Sequence, residues 1–299
     1  MTTIAPPPTA PPVNPPPSSP PPLSPGGRTA IRVLLIAAAA VLVLGSVATL
    51  GVAAWGLSTF RVVTDSKPLP PTMRSLVVDT GQLPVAVRIT ADPEATQPRA
   101  DMRMINSARA GSHPLTVSTD STGTRLTISG EPSPFLQWGR AGEITVVLPP
   151  EVARGLTVTS QQRTGVLMTQ ADLGQVTARM THGAVLLSGS ARRIEVDSVD
   201  SDVLARTPIS VTDSFRATTA NGDIEVDFKT APRTLDATTD NGDIRIALPP
   251  SGPYVVNADT SDRSGDTVVR VPQTSDRTDA ASIVTARSDT GDITIDELR

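Results

Sequence analysis

Leu235–Leu248, which reads LDATTDNGDIRIAL, is the stretch that decides the fold. Two short alternating segments flank Asn241-Gly242. Leu235, Ala237 and Thr239 share one face before it, and Ile244, Ile246 and Leu248 share one face after it. A period of two is the pattern of a half-buried strand. Asn-Gly accepts positive φ at little cost, so a tight reversal is expected between the two segments.

The template recurs on both sides. Phe215 and Ala217 lead through Asn221-Gly222-Asp223 to Ile224, Val226 and Phe228, and Val176 and Ala178 lead through Gly183 to Val185 and Leu187. Ile194 and Val196 lead through Ser201-Asp202 to Val203 and Ala205, and Val284 and Ala286 lead through Gly291-Asp292 to Ile293 and Ile295. In all five copies the last apolar residue before the turn and the first after it are seven apart (178/185, 196/203, 217/224, 237/244, 286/293). The turn positions Gly165, Gly183, Ser201, Gly222, Gly242, Gly265 and Gly291 follow one another at 18, 18, 21, 20, 23 and 26 residues. Such regularity marks a repeat protein. The favoured fold is all-β, a β-solenoid of 18–23-residue coils in which each coil gives two short strands with meeting inward faces. An antiparallel β-sandwich of hairpins fits the pairing nearly as well. Small apolar residues suited to a narrow interior, and turns that stay alike, weigh for the solenoid.

Upstream the alternation is less tidy. Leu76–Val78, Val85–Ile89, Leu115–Val117 and Leu126–Ile128 read as strands punctuated by Gly81, Asp92-Pro93, Gly111 and Gly123. Ile144, Val146 and Leu148 run into Pro149-Pro150, and the same Leu-Pro-Pro ending returns at Leu248-Pro249-Pro250. The N-terminal half is therefore expected to be a degenerate version of the same architecture.

Four regions follow: a disordered proline-rich tail at 1–29, a transmembrane helix at 30–60, a linker at 61–75 and a β-repeat domain at 76–299. The first 27 residues hold 12 prolines and no charged side chain, a composition that favours a solvated polyproline-II spacer over a packed core. Val33–Phe60 contains no charge and is bracketed by Arg32 and Arg61. A bilayer core needs about 20 apolar residues in a helix, and a signal peptide has only about 7–15 after a basic start, so a retained span is expected. Basic residues flank it almost evenly, with Arg28 and Arg32 on one side and Arg61, Lys67 and Arg74 on the other. The acid-free tail is placed in the cytoplasm and the β domain outside the plasma membrane, since long domains translocate largely regardless of charge.

From Arg61 onward 24 basic residues face 30 acidic ones, and the whole chain carries −4. This mildly acidic surface offers no footprint for nucleic acid. With no cysteine in the chain, disulfides, thiolate metal sites and cysteine nucleophiles are excluded. Beyond the apolar run the aromatics are Phe135, Trp138, Phe215, Phe228 and Tyr254, so the core must be aliphatic.

The turns place Asp202, Asp223, Asp243, Asp266 and Asp292 at one recurring position. Stacked coils would line these carboxylates up as oxygen ligands for calcium. The plainer reading is that Asp and Asn satisfy turn backbone, and the GGxGxDxUx pattern of calcium-binding rolls is missing. His113 and His182 read as isolated turn residues, with no HExxH, P-loop, GxGxxG or GxSxG in the chain. Carboxylate pairs such as Asp200/Asp202 do not single out a hydrolase. Phe135-Leu136-Gln137-Trp138 reads either as a contact patch or as a cap over one end of the core. No catalytic, cofactor-binding or metal-ligating residue is singled out, and the domain is expected not to be an enzyme.

The repeated T-x-N-G-D-Φ pattern resembles the bacterial adhesin-like family known as domain of unknown function 4097. The residues carrying the likeness are Thr218–Ile224 (TTANGDI), Thr238–Ile244 (TTDNGDI) and Ser288–Ile293 (SDTGDI). It covers residues 145–299 well and 76–144 poorly. The resemblance implies a solenoid-like β domain at the cell surface, with no catalytic residues to carry over. The expected role is structural or adhesive, with a cell-wall or envelope-protein partner. The rival readings are an envelope sensor that uses the proline-rich tail and a degenerate glycan-processing enzyme.

Overall fold

The structure, a computed structural model, describes residues 60–107, 114–121, 123–129, 142–261 and 265–298, together with Ala39, Leu42, Val43 and Ser46. The chain divides into two units, Met1–Leu57 and Ser58–Arg299. In the first, the four described residues are helical, and the Ser46 hydroxyl donates to the Leu42 carbonyl oxygen at 2.7 Å. The expected tail and nearly all of the expected span lie outside the described residues. Among the described residues no helix is long and apolar enough to cross a membrane.

The second unit is all-β. Its strands are β1 (Phe60–Pro68), β2 (Ser75–Gly81), β3 (Val85–Ala91), β4 (Arg99–Ser107), β5 (Leu115–Thr119), β6 (Thr124–Ile128) and β7 (Gly142–Leu148). A one-turn helix α1 (Pro150–Gly155) follows, then β8 (Thr157–Gln170), β9 (Leu173–Ser188), β10 (Ser190–Asn221), β11 (Ile224–Thr230), β12 (Thr234–Asn241) and β13 (Ile244–Leu248). Four more complete the chain: β14 (Tyr254–Thr260), β15 (Thr267–Arg270), β16 (Ser282–Thr290) and β17 (Ile293–Glu297). Residues 61–75, expected as a linker, thus contribute most of β1, which pairs antiparallel with β4.

The strands flanking Asn241-Gly242 find their partners in neighbouring coils. β12 lies parallel to β10, with Leu235 opposite Phe215, and parallel to β16, with Leu235 opposite Val284. β13 lies parallel to β11 and β17, with Ile244 opposite Ile224 and Ile293. The Asn-Gly is therefore a corner in a coil, not the reversal of a hairpin. Its backbone agrees: Gly242 has φ +152°, and among the described residues no non-glycine has positive φ. Asn241 does not use the conformational freedom that the sequence suggested for it.

Two ladders result, one before the corner and one after, each with strands about 4.8 Å apart. Every one of the ten apolar residues spaced seven apart around the corners is buried. Ala217, Ala237, Ala286 and Ala258 stand in one row, small enough to let the two ladders approach closely. Phe215 and Phe228, both buried, meet edge-to-face, with ring centroids 5.3 Å apart.

Sequence order and spatial order part company twice, both times after Leu-Pro-Pro. The β2–β3 coil stacks on β6 and β7 on one side and on β8 on the other, so α1 carries the chain past it. Likewise β16–β17 sits between β12–β13 and β14–β15. Proline donates no ladder hydrogen bond, so two in succession end the strand and release the chain from the sheet. Pro150 also starts α1, with Glu151 in its first turn and Arg154 in its last. The insertion of the final coil has a physical reason. Ile293 and Ile295 are fully buried there, whereas the coil left at the end carries Thr267, exposed, and Val269, half-buried.

Candidate functional site

In the C-terminal coils the Thr, Asn, Gly and Asp of the T-x-N-G-D corner bond to a neighbouring coil. The buried Thr239 hydroxyl donates to the Gly222 carbonyl oxygen at 3.0 Å, and Ser288 does the same to Gly242 at 2.9 Å. Thr219 reaches the Ser201 carbonyl oxygen at 3.2 Å, and Thr260 reaches that of Gly291 at 3.3 Å. The amide of Asn241 donates to Asn221 Oδ1 at 2.9 Å, and Asn221 donates to Asp200 Oδ1 at 2.6 Å. Thr290 extends this row onto Asn241 Oδ1 at 2.6 Å, and His182 Nδ1 closes it on Asp200 Oδ2 at 2.9 Å.

The five aspartates form a second row, in the spatial order 202, 223, 243, 292, 266. Each carboxylate accepts the backbone N–H of the next aspartate, at 3.1 Å for Asp202 with Asp223 and 2.9 Å for the other three pairs. This is the backbone-satisfying role, exercised between coils instead of within one turn. Among the described residues no group of three or more His, Cys, Asp or Glu is placed to hold a metal ion. Glycine is required at these corners because the neighbouring backbone is close. A Cβ on Gly242 would run into the Gly222 carbonyl oxygen, and one on Gly291 into that of Gly242. Ser201, where the sequence departs from glycine, keeps its place opposite Gly183 within the unbroken β10.

The first coils are finished differently. Their corners read Gln162-Arg163-Thr164-Gly165 and Met180-Thr181-His182-Gly183, and Gln162 and Met180 face inward where the later coils have Thr. Both polar ends of the buried Gln162 amide, the Thr80 hydroxyl and the Ser160 hydroxyl lack a hydrogen-bond partner among the described residues, as do the Ser201 and Ser282 hydroxyls in later coils. The outward face changes too. Met168, Leu186 and Leu204 stand side by side on three successive coils, and Leu186 is 38% exposed. They line a shallow depression of ≈ 220 Å³ whose polar edge includes Gln170, Ser188 and Arg206. Charged residues bound the row. Arg88 on one side donates to Glu143 at 3.0 Å and to Gln170 at 3.2 Å, and Glu225 on the other pairs with Arg206 at 3.7 Å.

Sequence reasoning followed the inward face of these strands and missed this outward row. The available signal was the short break in alternation at Val185-Leu186-Leu187, where three apolar residues succeed one another. Asp200 and Asp202, weighed as a carboxylate pair, are engaged in the corner rows and do not converge on a cleft. His113 and Phe135–Trp138 lie outside the described residues. On the outer face of β11, burial and then the neighbouring Glu225 carboxylate raise the Asp227 carboxyl above its ordinary range, with Arg245 opposing.

No curated protein matches the chain. Among solved structures it is similar to a candidate adhesin from Parabacteroides distasonis, at 9% identity over 80% of this chain and 97% of that one, with a TM-score of 0.45. A candidate adhesin from Parabacteroides merdae is also similar, at 9% identity over the same shares, with a TM-score of 0.41. A candidate cell-adhesion protein from Clostridium sporogenes matches at 13% identity over 80% of this chain and all of the other, with a TM-score of 0.34. The model of the Toastrack DUF4097 family, a domain of unknown function, matches residues 141–297, just over half of the sequence and all of the corner rows. The chain belongs to the Toastrack DUF4097 family.

Proposed function

We propose that this protein is a single-pass membrane protein of the bacterial envelope. Its solenoid-like β domain is displayed outside the plasma membrane and binds another envelope protein. The observation that carries the binding role is the outward row Met168–Leu186–Leu204, an exposed leucine between two half-buried apolar side chains, bounded by Arg88 and Glu225. An apolar centre within a charged rim is the composition of a protein–protein contact. The uncharged run Val33–Phe60 supports the anchor.

Because the chain has no cysteine, a single Leu186→Cys gives a clean probe. A membrane-impermeant maleimide applied to intact cells is expected to reach Leu186→Cys more slowly than Thr294→Cys, in the same ladder of a later coil. The two should react alike in the purified protein. Reaction of both only after the membrane is opened would place the domain in the cytoplasm and refute the display. Equal rates on intact cells would refute the contact at this face.

A further inference from the structure

The outward row that carries Leu186 is one line of facing residues on five strands. Arg88 of β3 stands opposite Met168 of β8, and Met168 opposite Leu186 of β9. Leu186 stands opposite Leu204 of β10, and Leu204 opposite Glu225 of β11. Their neighbours along each strand, such as Val185 and Leu187, are buried, so all five point away from the core. Strands in a sheet lie about 4.8 Å apart, which sets Arg88 and Glu225 each about 10 Å from Leu186, on opposite sides.

The line is its own complement when its order is reversed. A half-turn about an axis in the contact plane, parallel to β9 and beneath Leu186, reverses the order of the strands and keeps their direction. It sets Leu186 on its own copy, Met168 on Leu204, and Arg88 on Glu225, the last two pairs twice each. A two-fold contact demands a patch that is self-complementary in this way. Arg88 already pairs with Glu143 at 3.0 Å and Glu225 with Arg206 at 3.7 Å, so each end would gather two cations and two carboxylates. An axis along the row would instead set Arg88 on Arg88 and Glu225 on Glu225, and like charges face each other at a cost.

We propose, resting on the contact face proposed above, that its partner is a second copy of this chain, held face to face as a two-fold dimer. The apolar centre is one exposed leucine between two half-buried side chains, so the contact is small and weak. It forms where the membrane anchors hold copies at high effective concentration. It dissociates in the dilute purified protein, where Leu186→Cys is reached freely.

The test is disulfide formation in membranes holding the full chain, which has no cysteine of its own. Under a mild oxidant Leu186→Cys, which lies on the axis, should give a band of twice the chain mass, and Thr294→Cys should not. Arg88→Cys and Glu225→Cys should cross-link when expressed together and not when either is expressed alone. In the Leu186→Cys chain, Arg88→Glu or Glu225→Arg should lower the twice-mass band about fivefold, since each reversal spoils both ends of the contact. The two reversals combined should restore it. Glu143 and Arg206 then face like charges within each chain, so recovery reports the contact between copies. A Leu186→Cys chain shielded from maleimide on intact cells, yet giving no twice-mass band, would overturn the second copy and leave a contact with a different envelope protein. Equal maleimide rates would sink both. A twice-mass band unmoved by either single reversal would overturn the two-fold arrangement.

Discussion

The C-terminal coils and the first coils are built on one backbone plan but finish their corners differently. From Ser201 to Asp292 the corners bond to their neighbours by hydroxyl to corner carbonyl, amide to amide and carboxylate to backbone N–H, although the Ser201 hydroxyl itself lacks a partner among the described residues. In the coils around β2, β8 and β9 the corner holds Gln162 and Met180, and most of the buried polar atoms without a partner among the described residues lie there, at Thr80, Ser160 and Gln162, with Ser201 and Ser282 the later ones. Those same coils carry Leu186, exposed, and Met168, half-buried, on their outward face. A repeat that meets its own needs is a scaffold, and departures from the repeat are where other constraints have acted. The difference teaches that in this domain regularity marks structure, and irregularity marks where the proposed contact lies.

The largest effect should come from the corner glycines. Gly242→Ala places a Cβ against the Gly222 carbonyl oxygen at a φ of +152° and should cost about 3 kcal/mol or more. Gly155→Ala, where nothing lies within 4 Å, should change stability by no more than about 0.5 kcal/mol. Urea denaturation of the two variants measures the contrast, and equal losses would mean that the corner is looser than drawn.

A smaller effect is expected along the amide row. Asn241→Asp turns a donor to Asn221 into an acceptor and should cost about 1–2 kcal/mol at neutral pH, read as a lower urea midpoint. The same change at a position outside the row, Asn257→Asp on exposed β14, should stay within about 0.5 kcal/mol.

The smallest effect is a pH dependence where the two regions meet. The Asp227 carboxyl is raised in the folded protein by burial first and by Glu225 second. A raised carboxyl favours the protonated folded state, so its contribution is present at low pH and is lost as pH rises through the folded value. Asp227→Asn should therefore melt above the parent at pH 7, with the gap closing towards about pH 4, where the unfolded carboxyl also takes up its proton. A gap that widens on acidification would show that Asp227 is held by its partners and not strained by its surroundings.

Much of this was legible in the sequence. The alternation around Asn241-Gly242 and the constant spacing of seven give the inward faces, since a strand's side-chain period is fixed by its backbone. The partner of each strand was not legible. A corner and a hairpin both need a flexible glycine after an alternating segment, and only the parallel register tells them apart. The inserted last coil was hidden because the stacking order depends on which coil buries Ile293 and Ile295 best, a competition between segments distant in sequence. β1 was hidden by the prolines at and beyond its end, Pro68, Pro70 and Pro71, and by a partner, β4, that begins only at Arg99. Thr239 was legible as an inward residue, but its bond to Gly222 belongs to two coils at once.

The account stands most directly on the sign of two isosteric changes. Thr239→Val removes a hydroxyl that satisfies the Gly222 carbonyl oxygen, and Thr80→Val removes a buried hydroxyl without a partner among the described residues. Measured side by side by urea denaturation, the first should destabilise by about 1–3 kcal/mol and the second should leave stability unchanged or raise it. Loss of stability in both, by similar amounts, would contradict the contrast between the satisfied Thr239 hydroxyl and the unpartnered Thr80 hydroxyl.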